Sequence, residues 1–169
     1  TPVTTSNARD SEAAPMNFDV DTALLGPSIM AGDIDIRPPA DWPAAPTAVY
    51  NLTAAAFEDG QELLAMRQGE MSKMYIVRVD AELAAVFEAS VNKQFPDAEF
   101  ARYRHADRTV HQWIIVDGGE TTLKLFLPTR DGGVQVDYVV PTATWTRQAK
   151  AIESSIGSIQ TSRPAIVPG

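Results

Sequence analysis

An α+β fold, with a central antiparallel sheet flanked by helices, is predicted by three observations. Four short strand-like segments follow one another at residues 98–105, 109–116, 121–129 and 133–140, the later ones joined by glycine-rich turns. An amphipathic helix precedes this meander and another follows it. The 169 residues, 44% of them hydrophobic, suit one core rather than several. The order strands, helix, meander, helix implies helices packed on an antiparallel sheet.

In chain order, residues 33–37 alternate, with Ile34 and Ile36 on one side, and Pro38-Pro39 ends that strand because proline cannot donate to a ladder. Asp41-Trp42-Pro43 makes a stiff connection. Residues 48–57 and 61–68 flank Asp59-Gly60, a pair suited to a type I′ hairpin turn, although Thr53-Ala54-Ala55-Ala56 equally suits a helix. Gly69-Glu70 reads as a second turn before a strand at 73–79. Asp80 is placed to cap a helix whose Leu83, Val86, Phe87, Val91 and Phe95 share one stripe, and Pro96 closes it. The last helix runs from Thr142 or Thr144 to Ile159, with Ile152, Ile156 and Ile159 on one side.

The turns also predict registers. A Gly118-Gly119 loop places Leu123 opposite Ile114 and Leu127 opposite Val110. An Asp131-Gly132 loop places Leu127, Leu125 and Leu123 opposite Val136, Tyr138 and Val140. The three leucines then share an apolar face, which a slip of one residue would destroy. Gln112, beside Leu125, is the exception.

These ordered features, from Ile34-Asp35-Ile36-Arg37-Pro38-Pro39-Ala40-Asp41-Trp42 through the helix and meander to the closing segment at 149–159, resemble the PsbP/Mog-like superfamily. That superfamily includes DcrB-like bacterial envelope proteins and LpqN-type lipoproteins. The resemblance spans roughly residues 32–160 and implies an α/β/α sandwich. It implies no catalytic motif, since members are mostly binding or assembly factors. The Pro-rich stretch 42–47 and the few lysines depart from the photosystem members and argue against that role. Residues 1–31 are expected to form a flexible tether and lead-in, 32–160 one domain, and 161–169 a loose tail.

Composition limits the partners. A formal charge of −8 and a pI near 4.7 disfavour nucleic acid, which needs clustered Lys and Arg. No apolar run approaches the roughly 20 residues of a membrane span. Cysteine is absent, which removes disulfides, thiolate nucleophiles and cysteine metal sites. The Thr/Ser/Ala/Pro-rich start suggests an exported protein on a tether, where a lipid anchor would be its membrane contact.

The chemistry-bearing residues are few. His105 and His111 flank a turn with Asp107, a spacing that matches no zinc motif, and the neighbouring Arg102, Arg104 and Arg108 would repel a cation. A polar hairpin tip is the preferred reading. On the face opposite the leucines, the registers place His111 beside Phe126 and Phe126 beside Asp137. They place Trp113 beside Lys124, with Val139 beyond. This row could line a ligand groove and hold a Trp113–Lys124 cation–π pair; the plainer alternative is a core covered by a helix. Arg102, Arg104 and Arg108 could meet an acidic partner or simply balance Asp97, Glu99 and Asp107. Ser154, Ser155 and Ser158 lie beside Glu153 but form no nucleophile elbow. Asp33 with Asp35, and Asp19 with Asp21, read as solvated acids of an edge strand and a loop. No catalytic residue, metal site or cofactor is assigned. The expected function is a non-enzymatic exported binding or assembly protein of the envelope. The alternative is an enzyme or small-ligand carrier with a pocket around His111 and Asp137.

Overall fold

The computed structural model describes residues 13–162; the expected tether over residues 1–12 and the tail over 163–169 lie outside the described residues. A small sheet is built from β1 (Ile29–Ala31), β2 (Ile34–Ile36) and β9 (Gln160–Thr161), in the order β1-β2-β9. The main sheet contains β3 (Gln61–Gln68), β4 (Lys73–Asp80), β5 (Glu99–His105), β6 (Arg108–Asp117), β7 (Glu120–Thr129) and β8 (Gly132–Pro141). Its order is β3-β4-β8-β7-β6-β5, antiparallel throughout. Four helices accompany it: α1 (Thr47–Ala55), α2 (Ala81–Ala85), α3 (Phe87–Gln94) and α4 (Trp145–Gly157). None of them is long and apolar enough to cross a membrane.

The main sheet is covered on both faces. On one, the predicted leucine face, Leu123, Leu125 and Leu127 pack with Val136, Tyr138, Ile152 and Ile156 of α4, and with Ile34 and Ile36 of the small sheet. On the other, Phe87 and Val91 of α3 cover Trp113, Ile115 and Phe126, while Val49, Tyr50 and Ala54 of α1 cover Leu63, Met66 and Val77. This is the layered α+β architecture that the resemblance implies.

Several expected details change. Residues 48–57 are not a hairpin strand. Val49, Tyr50 and Ala54 face inward while Ala48, Leu52 and Ala55 face out, a helical pattern that alternation cannot produce. Asp59-Gly60 instead turns the chain from α1 into β3, with Gly60 at φ +93° and Gln61 donating to the Glu58 carbonyl at 3.0 Å. The expected helix over 80–95 is capped by Asp80, whose carboxylate accepts from Leu83 N at 2.9 Å, but it breaks at Val86. The break turns Phe87 and Val91 onto the sheet and leaves Val86 exposed, off the stripe where the sequence placed it.

The Gly118-Gly119 turn sets the expected β6–β7 register, with Ile114 opposite Leu123. The β7–β8 register is two residues away from expectation. Arg130 and Asp131 form the loop, Gly132 rejoins the strand at φ +146°, and Leu127 faces Val134 rather than Val136. A two-residue shift keeps every side chain on its face, so the leucine face survives while each partner changes.

The lead-in to residue 31 is not a tether from residue 13 onward. Ala14 and Met16 bond the backbone of Arg104 on the outer edge of β5, and Phe18 packs on Tyr103 and His105. Thr161, expected in the loose tail, pairs with Ile34 in β9. β2 is therefore the middle strand of its sheet and not an edge.

Candidate functional site

The five side chains singled out on the sheet face do share it, but helices cover most of them. Trp113 is fully buried and donates Nε1–H to Asn92 Oδ1 of α3 at 2.8 Å. Phe126 stacks on Phe87 with ring centroids 4.6 Å apart; a Cβ at Gly133 would overlap its ring, so glycine there gives it room. His111 lies among Phe100, Trp113 and Phe126, with Nδ1 3.4 Å from Glu88 Oε1.

The register change alters the polar half of the row. Asp137 faces Lys124, not Phe126, and Phe126 faces Gln135. Lys124 Nζ donates to both carboxylate oxygens of Asp137, at 3.1 and 3.0 Å, instead of lying over the Trp113 ring. Gln135 Nε2 donates to Asp137 Oδ2 at 3.1 Å, and Gln61 Nε2 donates to Gln135 Oε1 at 2.9 Å. Tyr75, opposite Asp137 on β4, has its hydroxyl pKa raised by burial and then by the negative charges of Asp137 and Glu120. The result is a closed ion pair continued by amides. Buried charges are tolerable when paired and bonded in this way.

The arginines divide. Arg102 pairs with Glu88, and its guanidinium sits 5.2 Å over the Phe100 ring. Arg108 is a clasp between four segments. It donates to the Ala106 carbonyl (3.0 Å), Asp33 Oδ1 (3.0 Å), the Pro128 carbonyl (2.9 Å) and Thr161 Oγ1 (3.2 Å). Arg104 alone of the three is exposed, and it donates to Thr109 Oγ1 at 3.1 Å. Two of the three candidate partner-binding cations are thus held in ion pairs within the fold. Ala106 and Asp107, at φ +55° and +62°, form the turn that holds Arg108 in position.

The remaining candidates are fasteners. His105 Nε2 lies 2.9 Å from the Ile156 carbonyl, and burial lowers its pKa more than this hydrogen bond raises it. Ser155 Oγ donates to the Arg37 carbonyl at 2.6 Å and lies 2.7 Å from the Tyr138 hydroxyl, whose pKa burial raises strongly. Ser154 Oγ accepts from Asp21 N, and Ser158 Oγ accepts from Arg37 N. Asp19 pairs with Lys150, which lowers its pKa. Among the described residues no group of three or more His, Cys, Asp or Glu side chains is placed to hold a metal ion.

The open concavity lies elsewhere. A groove of about 1000 Å³ sits at the end of the main sheet, between the β1–β2 turn, the start of β3, the end of β4, the β7–β8 turn and Thr161–Ser162. Val79 and Val134 border it from opposite faces of the sheet and are nearly inaccessible, and Met30, 69% exposed, stands on its wall. Its rim carries the Arg78–Glu62 ion pair together with Arg130 and Asp131. A second cavity of about 340 Å³ lies beside α1. Neither is lined by His111, Trp113, Lys124, Phe126 or Asp137. Sequence reasoning missed the groove because five separate segments build it. The Asp-Gly pairs at 59–60 and 131–132 mark its turns, but only the topology brings those turns together.

No family model and no curated protein matches the sequence. Among solved structures, cyanobacterial PsbP (CyanoP) from Synechocystis sp. PCC 6803 has a TM-score of 0.53 at 10% identity, over 84% of this chain and 95% of that one. A protein of Bacteroides thetaiotaomicron VPI-5482 reaches 0.47 at 12% identity, over 83% of this chain and 50% of its own, too distant to carry an argument. At such identities likeness concerns the backbone and not the activity. The chain has a PsbP-like α+β fold.

Proposed function

We propose that this chain is a non-enzymatic, exported binding or assembly protein of the cell envelope, of the DcrB-like or LpqN-like kind, whose macromolecular partner sits in the sheet-end groove. The observation that carries this reading is a contrast. The sheet-face side chains bond one another beneath helices, whereas the groove is open, with the exposed Met30 on its wall and a rim of both charges, as protein-binding surfaces combine apolar and charged groups. An N-terminal lipid anchor would be the membrane contact that this reading calls for. The net charge of −8 speaks against a nucleic-acid partner. An enzyme or small-ligand carrier centred on His111 and Asp137 would need a cavity shared by the five side chains, and neither described cavity reaches them.

A photo-crosslinking amino acid at Met30, in the full-length protein in its native cells, tests the proposal. The expected result is an envelope-fractionating protein that forms one defined adduct from Met30 and none from Val116, which is exposed at the opposite end of β7's hairpin. A cytosolic protein, or indistinguishable labelling from the two positions, overturns it.

A further inference from the structure

We infer that the chain supplies its own occupant for the sheet-end groove: residues 163–169 fold back into it as a strap, which a partner must displace. The displacement rests on the function proposed above; the strap does not, and its test needs no partner.

The first support is the course of the chain up to Ser162. β9 runs antiparallel to β2, with Thr161 opposite Ile34, and Ser162 N donates to the Asp33 carbonyl at 2.7 Å. The chain therefore leaves Ser162 travelling toward Gly32 and the β1–β2 turn. Gly32, Asp33, Thr161 and Ser162 all line the groove. A Cβ at Gly32 would lie 3.5 Å from Val134 Cγ2, so this exit stands against the end of the main sheet. Arg108 fixes it there through Asp33 Oδ1 and Thr161 Oγ1. Pro164 has no N–H to extend the ladder along β2, which frees the chain to turn across the groove. Seven residues span about 23 Å when extended, enough to cross a cavity of about 1000 Å³.

The second support is complementarity. The segment reads Arg-Pro-Ala-Ile-Val-Pro-Gly, with one cation, no acid and the apolar run Ala165-Ile166-Val167. The groove is lined more by apolar than by polar surface, and Met30 projects from its wall. Asp33 pairs with Arg108 and Glu62 with Arg78, which leaves Asp80 and Asp131 against Arg130 as the other charges of the lining. That balance is acidic and lies next to the position where Arg163 enters. A second copy of the chain would bring a further charge of −8 to the same place.

The third support is the attachment itself. A segment joined to the groove wall competes at an effective concentration on the order of millimolar, so weak contacts suffice to hold it. Pro164 and Pro168 fix two φ angles in advance and lower the cost of ordering.

The test uses the purified full chain, which has no cysteine of its own. A Met30→Cys thiol is expected to react with a small maleimide about tenfold more slowly than the same thiol in a chain that also carries Ile166→Asp and Val167→Asp, because only the open fraction reacts. A Val116→Cys thiol, at the far end of β7's hairpin, should react equally in both backgrounds. Under mild oxidation, Met30→Cys with Ile166→Cys should close an intramolecular disulfide far faster than Val116→Cys with Ile166→Cys. Four residues from Ser162 to Ile166 reach only about 13 Å, too short to arrive at Val116. Circular dichroism should be the same for all variants. Equal Met30→Cys rates in the two backgrounds, or equal closure of the two cysteine pairs, overturns the strap. Protection that grows with protein concentration also overturns it, since the occupant would then come from another copy. Absence of a Met30 adduct in cells would sink the proposed function and leave these rates unchanged, so the two failures are distinguishable.

Discussion

The two faces of the main sheet are both buried, yet they use polar side chains in different ways. Under α4, polar groups tie one layer to the next: Tyr138 to Ser155, Ser155 to the Arg37 carbonyl, His105 to the Ile156 carbonyl. Beneath α1 and α3, the Lys124–Asp137 pair and its amides run sideways within the sheet, from β7 through β8 to β3. The first arrangement sets where α4 and the small sheet sit. The second neutralises charge between the helices that cover that face. Among the described residues, Ser155 and His105 of the first and Lys124 and Asp137 of the second each bond a partner within the fold. Serine, histidine, lysine and aspartate suggest chemistry in a sequence; here burial turns them into fasteners.

The largest effect should come from the lateral pair. Asp137→Ala leaves the mostly buried Lys124 ammonium without its counter-charge and is expected to cost about 3 kcal/mol in urea unfolding. Lys124→Met combined with Asp137→Leu removes both charges and should restore most of that loss. If Asp137→Ala is neutral, the pair contributes nothing and the distinction between the faces collapses.

Next comes Arg108, which joins four segments. Arg108→Ala should cost about 2 kcal/mol and raise hydrogen exchange in β9 more than in β7, because β9 has only two residues to hold it. Uniform exchange would show that the clasp is not local.

The smallest effect is a pH dependence on the α4 face. Burial holds the pKa of folded His105 below its unfolded value near 6.5, so the unfolded chain binds the extra proton first. Its contribution is therefore complete above that value and is lost as pH falls below it. His105→Gln, which can still donate to the Ile156 carbonyl, should flatten that part of the stability profile. An unchanged slope would place the pH dependence elsewhere.

How much of this was legible in the sequence depended on how local the deciding contact was. Gly118 and Gly119 turn in open space, where a Cβ on either would meet nothing within 4 Å, so their dipeptide alone set the β6–β7 register. At the β7–β8 turn, a Cβ on Gly132 would overlap the backbone at the end of β4, so a distant strand took part in the choice of loop. That two-residue shift kept the faces and changed the partner of Asp137, which is how a suspected groove residue became half of an ion pair. α1 was ambiguous because Val49, Tyr50 and Thr53 favour strands while the alanines favour helix; packing on Leu63 and Met66 decided it. β9 is too short to give a periodic signal. Of the candidate site, the sharing of one face by five residues was readable, but its covering by α3 was not.

The most direct test of the central claim combines both regions in one protein. Met30 crosslinking should be repeated in the Lys124→Met, Asp137→Leu background, with folding checked by circular dichroism. The Met30 adduct is expected to persist if the buried pair is structural and the groove meets the partner as proposed. Loss of the adduct in a folded protein would mean that the pair belongs to the functional site, and would contradict that claim.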